Sequence, residues 1–79
     1  MTNSFWEMLD IVLGAASCAA GEKKAMTADA IAQEFGKSSE WSGGPMSTFD
    51  IERELRGTFA GYSNWAISNY GDHWEFIRR

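Results

Sequence analysis

The sequence predicts a single α+β domain, residues 1–79, in which three helices are followed by a C-terminal β-hairpin. Two stretches with apolar residues at helical spacing, one before Gly21 and one before Gly36, predict the first two helices. A capping sequence near Ser47 predicts a third helix. Large apolar residues then alternate with small or polar ones after Asn64, which is the pattern of two half-buried strands.

The first helix is predicted to start at the Ser4 cap, with Glu7 completing a capping box, and to run to Gly21. Gly14 lies inside this helix, where it indicates close approach by a neighbouring element. The "GEKK" segment that follows is predicted to be a solvated loop. The core face of the helix comprises Phe5, Met8, Leu9, Val12, Ala16, Ala19 and Ala20.

The second helix is predicted to run from a Thr27 cap to Gly36, and a polar loop over residues 37–46 follows it. Trp41 lies in the middle of this loop. Two alternatives stay open for it: the ring folds back to cap the core, or it is an exposed anchor for a partner.

The third helix is predicted to be capped by Ser47 or Thr48 and to end at Gly57 or Gly61. Three of its apolar residues are expected to point inward: Ile51, Leu55 and Phe59. Its charges are spaced for ion pairs within the helix, between Glu52 and Arg56 and between Asp50 and Arg53.

The hairpin places four large side chains on one face: Trp65, Ile67, Trp74 and Phe76. A turn centred on Tyr70 and Gly71, or a loop over residues 69–72, would pair Ile67 with Trp74 and Trp65 with Phe76. Because a slip of one residue would move these side chains to the other face, the pattern predicts this register.

The order of three helices and a hairpin, with "KAMTADAIAQEFG" before the third helix, resembles the winged-helix family. The resemblance implies a short strand leading into helix two, a third helix that docks in the major groove of DNA, and a hairpin that acts as the wing. The chain departs from the family between helices two and three, where residues 37–46 replace a turn of a few residues.

The net charge of −4 argues against a generic binder of nucleic acid or of an anionic membrane. Direct DNA binding would have to use arginines on the third helix and at the end of the wing: Arg53, Arg56, Arg78 and Arg79. Acidic residues come from every predicted element, and we expect them to be exposed.

Catalytic and cofactor motifs are not found, so we expect neither an enzyme nor a metal or cofactor site. The single histidine, His73, is interpreted as a surface residue, and the single cysteine, Cys18, as an inert, at least half-buried thiol. Glu7 and Asp10 occupy the place of a positive signal-peptide region, and the apolar run beside them is too short to span a bilayer. We therefore expect a cytoplasmic protein with no membrane partner.

Small size, acidity and an aromatic core resemble the general character of the small acidic anti-CRISPR proteins that phages encode, a class without a common motif. This resemblance implies a monomeric inhibitor that blocks the nucleic-acid-binding surface of a CRISPR effector subunit by steric and electrostatic, DNA-mimic-like occupancy. The alternatives are a winged-helix transcriptional regulator and a detached interaction domain of a larger assembly. The predicted partner-binding residues are Trp41, Phe49, Asp50, Glu52 and Glu54, followed by Glu7 and Asp10.

Overall fold

A computed structural model describes all of residues 1–79 and confirms the α+β class. Three α-helices and three strands make up the fold: α1 (Phe5–Leu13), β1 (Lys23–Met26), α2 (Ala28–Lys37), α3 (Thr48–Leu55), β2 (Trp65–Asn69) and β3 (Trp74–Arg78). Short 3₁₀ turns follow α1 and α3, at Ala15–Ser17 and Thr58–Tyr62. The strands form one antiparallel sheet in the order β1-β3-β2. None of the helices is long and apolar enough to cross a membrane.

Helix α1 ends at Leu13, so the prediction that it continues to Gly21 is wrong. Gly14 adopts φ 69° and ψ 42°, and its N–H donates to the carbonyls of Asp10 and Ile11. This left-handed conformation suits glycine and closes a helix. The predicted core positions beyond Gly14 are therefore exposed, namely Ala16, Ala19 and Ala20, whereas Leu13 and Ala15 are buried.

The N-terminus of α1 is capped as predicted by the Ser4 hydroxyl, which accepts a 3.4 Å hydrogen bond from the Glu7 N–H. The predicted capping box is not formed. The backbone N–H of Ser4 donates to the Thr2 hydroxyl instead, and the Glu7 carboxylate accepts a 2.6 Å bond from that same hydroxyl. Thr2 thus takes the place that the Glu7 side chain has in a capping box.

Lys23 and Lys24 belong to strand β1, so the "GEKK" segment is not entirely a loop as predicted. Lys24 pairs with Phe76 of β3. The pairing continues before the strand, where the Gly21 N–H donates to the Arg78 carbonyl at 2.7 Å and the Arg78 N–H to the Glu22 carbonyl at 2.9 Å. The strand forms because the edge of β3 that does not face β2 has backbone N–H and carbonyl groups available for pairing.

Helix α2 begins at the predicted Thr27 cap, which accepts a 3.0 Å bond from Ala30, but it runs past Gly36 and ends at the Ser38 cap. Helix α3 begins at the Ser47 cap, which forms a complete capping box with Asp50. The prediction that Phe59 points inward is wrong, because this residue lies beyond the helix in a 3₁₀ turn and is 69% exposed.

Strands β2 and β3 pair with a register two residues away from the predicted one. Ile67 lies opposite Phe76, and Asn69 lies opposite Trp74, so residues 70–73 connect the strands. The Asn69 side chain accepts a 2.8 Å bond from the Gly71 N–H and stabilises this four-residue connection. A shift of two residues leaves every side chain on its predicted face.

The core lies between the inner face of the sheet and the three helices, and every buried residue is apolar. Trp65 and Phe76 meet edge to face, with ring centroids 6.3 Å apart. From the helices, the completely or almost completely buried residues are Met8, Leu9, Ile31, Phe35, Ile51 and Leu55.

Candidate protein-binding surface

Helix α3 exposes one well-defined side. Ile51 and Leu55 are buried, and a helical rotation of about 100° per residue places Phe49 and Arg53 on the opposite side. The Phe49 side chain is 71% exposed. The same rotation places Asp50 and Glu54 on one flank of this exposed side, and Glu52 and Arg56 on the other. We call the exposed side of α3 together with Trp41 the α3 surface.

The arginines of the α3 surface are paired by its own acids. Arg53 lies 3.3 Å from the Asp50 carboxylate and Arg56 lies 3.0 Å from that of Glu52, so both predicted ion pairs are confirmed. Each guanidinium also stacks near an aromatic ring, Arg53 at 5.9 Å from the Phe49 centroid and Arg56 at 5.3 Å from that of Trp74.

Asp50 serves mainly to start the helix. Its carboxylate accepts a 3.2 Å bond from the Ser47 backbone N–H, and the Ser47 hydroxyl accepts a 3.1 Å bond from the Asp50 N–H. The bond from the Ser47 backbone, then contact with the Ser47 side chain and the charge of Arg53, hold the pKa of Asp50 below its ordinary value. Asp50 therefore stays charged, but its carboxylate is already engaged within the chain.

Glu54 differs from the other acids of α3, because its carboxylate makes neither a hydrogen bond nor an ion pair in the structure. It borders a surface cleft of about 330 Å³, which we call the Trp41 cleft. The residues that line this cleft include Phe5, Trp41, Gly43, Met46, Arg53 and Glu54.

Trp41 folds back onto the core and remains half-buried, which corresponds to the first of the two alternatives for this residue. Its ring lies 4.9 Å from that of Phe35, and its indole N–H donates to the Gly44 carbonyl at 2.5 Å. Gly43 packs so closely that an added Cβ would overlap the ring. The loop therefore holds the indole in one place beside α3.

The N-terminal segment supports the Trp41 loop through Thr2, and nothing local in the sequence indicates this contact. The Thr2 N–H donates to the Glu40 carbonyl at 2.6 Å, and the Ser42 N–H donates to the Thr2 carbonyl at 2.8 Å. The Thr2 hydroxyl donates to the Glu7 carboxylate, so Glu7 also lies near the Trp41 loop.

Asp10, in contrast, is not part of the α3 surface. Its carboxylate accepts 2.8 Å bonds from the indole N–H of Trp65 and from the side-chain amide of Asn64. It borders a different cleft, of about 390 Å³, between the end of α1 and the end of the sheet near Arg78. Because it satisfies a buried indole donor, its main task is structural.

The four arginines predicted as alternative DNA contacts are divided between two places. Arg78 is held near the end of α1, where it donates to the Ala15 carbonyl at 3.4 Å, and Arg79 donates to the Gly61 carbonyl at 2.9 Å. Both lie at the end of the β2–β3 hairpin, as expected, but on the side away from the connection between the two strands. Residues 70–73, which form that connection, include no lysine or arginine.

The remaining reactive side chains make local contacts. Cys18 is half-buried, as predicted, and burial together with a 3.3 Å hydrogen bond to Glu22 raises the pKa of its thiol. His73 lies 2.7 Å from Asp72, and this hydrogen bond lowers the pKa of the Asp72 carboxyl. No three potential metal ligands converge.

No protein-family model matches the chain, and no match was found among curated proteins or solved structures. Two features of the molecule bear on function: an α3 surface whose arginines are paired, and a rigidly held tryptophan beside an unpaired carboxylate.

Proposed function

We propose that this protein is a small, non-enzymatic inhibitor that binds a partner protein through the α3 surface. The partner is a protein with a basic nucleic-acid-binding surface, and an effector subunit of a CRISPR system is the specific candidate. The inhibitor acts as a monomer in the cytoplasm and blocks that surface by steric and electrostatic, DNA-mimic-like occupancy. It requires no metal or cofactor.

The observation that carries this proposal is the charge arrangement of α3. Arg53 and Arg56 are paired with Asp50 and Glu52, so the helix offers no free cation to a phosphate backbone, while Glu54 remains unpaired. The whole chain has a net charge of −4. A phosphate backbone is attracted by positive potential, whereas a basic protein surface is attracted by this negative one.

The α3 surface also has the side chains that anchor protein interfaces. Phe49 is largely exposed on the outer side of the helix, with Arg53 beside its ring, and Trp41 lies across the cleft. Aromatic and arginine side chains contribute most of the binding energy at many interfaces. Trp41 is already held by Gly44, so little side-chain freedom is lost when a partner binds.

The test is a binding assay with an immobilised CRISPR surveillance complex and a double charge reversal, Glu52→Lys with Glu54→Lys. We expect this variant to lose most of the binding of the parent protein. The matched control is Asp29→Lys with Glu34→Lys, which makes the same change of charge on exposed positions of α2. Both variants are first checked by thermal unfolding. Equal binding by the parent protein and the α3 variant excludes the α3 surface as the inhibitory site.

A winged-helix DNA-binding regulator is the second candidate, and the sheet topology favours it. A short strand precedes α2 and pairs with β3, and β2 and β3 follow α3. This order resembles that of the winged-helix family. In this case α3 and the β2–β3 connection would contact DNA, with Arg53 and Arg56 released from their acidic partners.

Fluorescence anisotropy with a labelled mixed-sequence duplex at low salt separates the two candidates. If the protein is an inhibitor that binds a protein partner, we expect no binding of the duplex even at high protein concentration. If the protein is a DNA-binding regulator, we expect it to bind the duplex with an affinity that falls steeply with salt, because each phosphate contact releases counterions. The double variant Arg53→Ala with Arg56→Ala should then abolish this binding.

A further inference from the structure

The Trp41 cleft combines an apolar wall with a single free carboxylate. Phe5, Trp41 and Met46 supply the apolar side, and Glu54 supplies the carboxylate. A volume of about 330 Å³ is enough to accept a long side chain from another molecule. Because the Trp41 indole is fixed by its bond to Gly44 and by the close packing of Gly43, this wall exists before anything binds.

The charges around the cleft differ in how far they are already neutralised. Glu54 has no partner, whereas the guanidinium of Arg53, the one cation that lines the cleft, is held 3.3 Å from Asp50 and lies over the Phe49 ring. The cleft therefore has an unsatisfied negative charge next to aromatic rings. A planar cation that can stack on a ring and donate two hydrogen bonds to a carboxylate suits both features.

We propose that the Trp41 cleft receives an arginine side chain of the partner protein, with the guanidinium stacked on the aromatic wall and hydrogen-bonded to Glu54. This inference rests on the proposed function and specifies the partner chemistry at the α3 surface. The proposal also explains why the partner would be an arginine-rich, nucleic-acid-binding surface. Arginines on such a surface contact phosphates when nucleic acid is bound, and the same side chains can bind the cleft instead.

The test follows the indole N–H signals of the four tryptophans in nitrogen-15 NMR spectra during titration with N-acetylarginine amide. Trp41→Phe identifies the signal of Trp41. We expect this signal to move in a saturable way, and we expect N-acetylcitrulline amide, which has a similar shape but no charge, to leave it in place. Glu54→Gln should weaken the binding about tenfold or more, because hydrogen bonds to a charged group are the stronger ones.

Glu34→Gln is the matched control, since it removes the same charge from an exposed position of α2 that lies outside the cleft. It should bind N-acetylarginine amide as the parent protein does. Arg53→Gln should strengthen the binding, because it removes the one cation that lines the cleft. The inference is overturned if the Trp41 signal does not respond to arginine, or if Glu54→Gln and Glu34→Gln weaken its response equally.

Failure of this inference is distinguishable from failure of the proposed function, because the titration needs no partner protein. Loss of partner binding on double reversal at Glu52 and Glu54, combined with an unresponsive Trp41 signal, would retain the inhibitor and exclude the arginine subsite. A responsive cleft combined with unchanged partner binding would show that the cleft binds arginine but does not receive it from this partner, and it would exclude the α3 surface as the inhibitory site.

Discussion

Asp10 of α1 accepts a 2.8 Å hydrogen bond from the indole N–H of Trp65, a β2 residue with no exposed surface. The two residues are 55 positions apart in the chain, so this bond ties the first helix to the sheet. From the sequence, Asp10 resembles a binding group, because the one other charged residue of α1, Glu7, is exposed to solvent. The hydrogen bond to the buried Trp65 indole shows instead that Asp10 stabilises the core.

Replacement of Asp10 by alanine should therefore reduce the stability of the fold. We expect the free energy of unfolding to fall by about 1–3 kcal/mol, because the buried indole donor of Trp65 loses its acceptor. Glu7→Ala is the control on the same helix, and its exposed bond to Thr2 should contribute less than about 1 kcal/mol. Urea unfolding measures both, and equal losses would argue against a structural role for Asp10.

Gly14→Ala should also be destabilising, by about 1–2 kcal/mol, because an L-residue is strained at φ 69°. Gly36→Ala makes the same chemical change inside α2, where the added Cβ meets nothing within 4 Å. That variant should be stabilised by up to about 1 kcal/mol through better helix propensity. Thermal unfolding of the two variants compares them directly, and an unchanged or raised stability of Gly14→Ala would contradict the assignment of Gly14 as the end of α1.

Gly43→Ala should displace the Trp41 ring, because the new methyl group would overlap it. Overpacking of this kind costs about 1–3 kcal/mol when the surroundings cannot move. We expect a changed indole signal for Trp41 and weaker binding of N-acetylarginine amide. Gly61→Ala, where the added Cβ meets no neighbour within 4 Å, is the control. An unchanged Trp41 signal in Gly43→Ala would show that the loop does not hold the ring.

Stability on the acid side should depend on Asp50. Its pKa is lower in the folded protein than its ordinary value of 3.8, so the charged form stabilises the fold above that pH. This contribution is lost as the pH falls through the lowered pKa of the folded state. Asp50→Asn should therefore lose less stability than the parent protein between about pH 5 and pH 2. Glu22 and Asp72, whose pKa values are also lowered, keep part of the pH dependence. Identical pH profiles would contradict this role of the capping box.

Patterns that depend on neighbouring residues could be predicted well from the sequence. The caps at Ser4, Thr27 and Ser47 and both ion pairs of α3 are found as expected, because each involves residues within one helical turn. The face of each strand was also predictable, since alternation alone determines it.

Features that depend on distant parts of the chain could not be predicted in this way. Alanine-rich sequence after Gly14 has the propensity to continue a helix. A short strand before α2 is expected only from the winged-helix resemblance, because the local pattern of residues 23–26 does not indicate their pairing with β3. Alternation cannot distinguish registers that differ by two residues, and the Asn69 contact with Gly71 belongs to the connection of the observed register. The partners of Trp41 and Asp10 come from Thr2 and Trp65, far away in sequence.

The position of β3 in the middle of the sheet has a consequence for the synthesis of the protein. It is the last element in chain order, yet both other strands pair only with it. In a nascent chain that has reached residue 73, β1 and β2 still have no strand to join, and the places of Trp74 and Phe76 in the core are empty. The cooperative fold can therefore be completed only after residues 74–78 have emerged from the ribosome, and shorter nascent chains should remain sensitive to proteases.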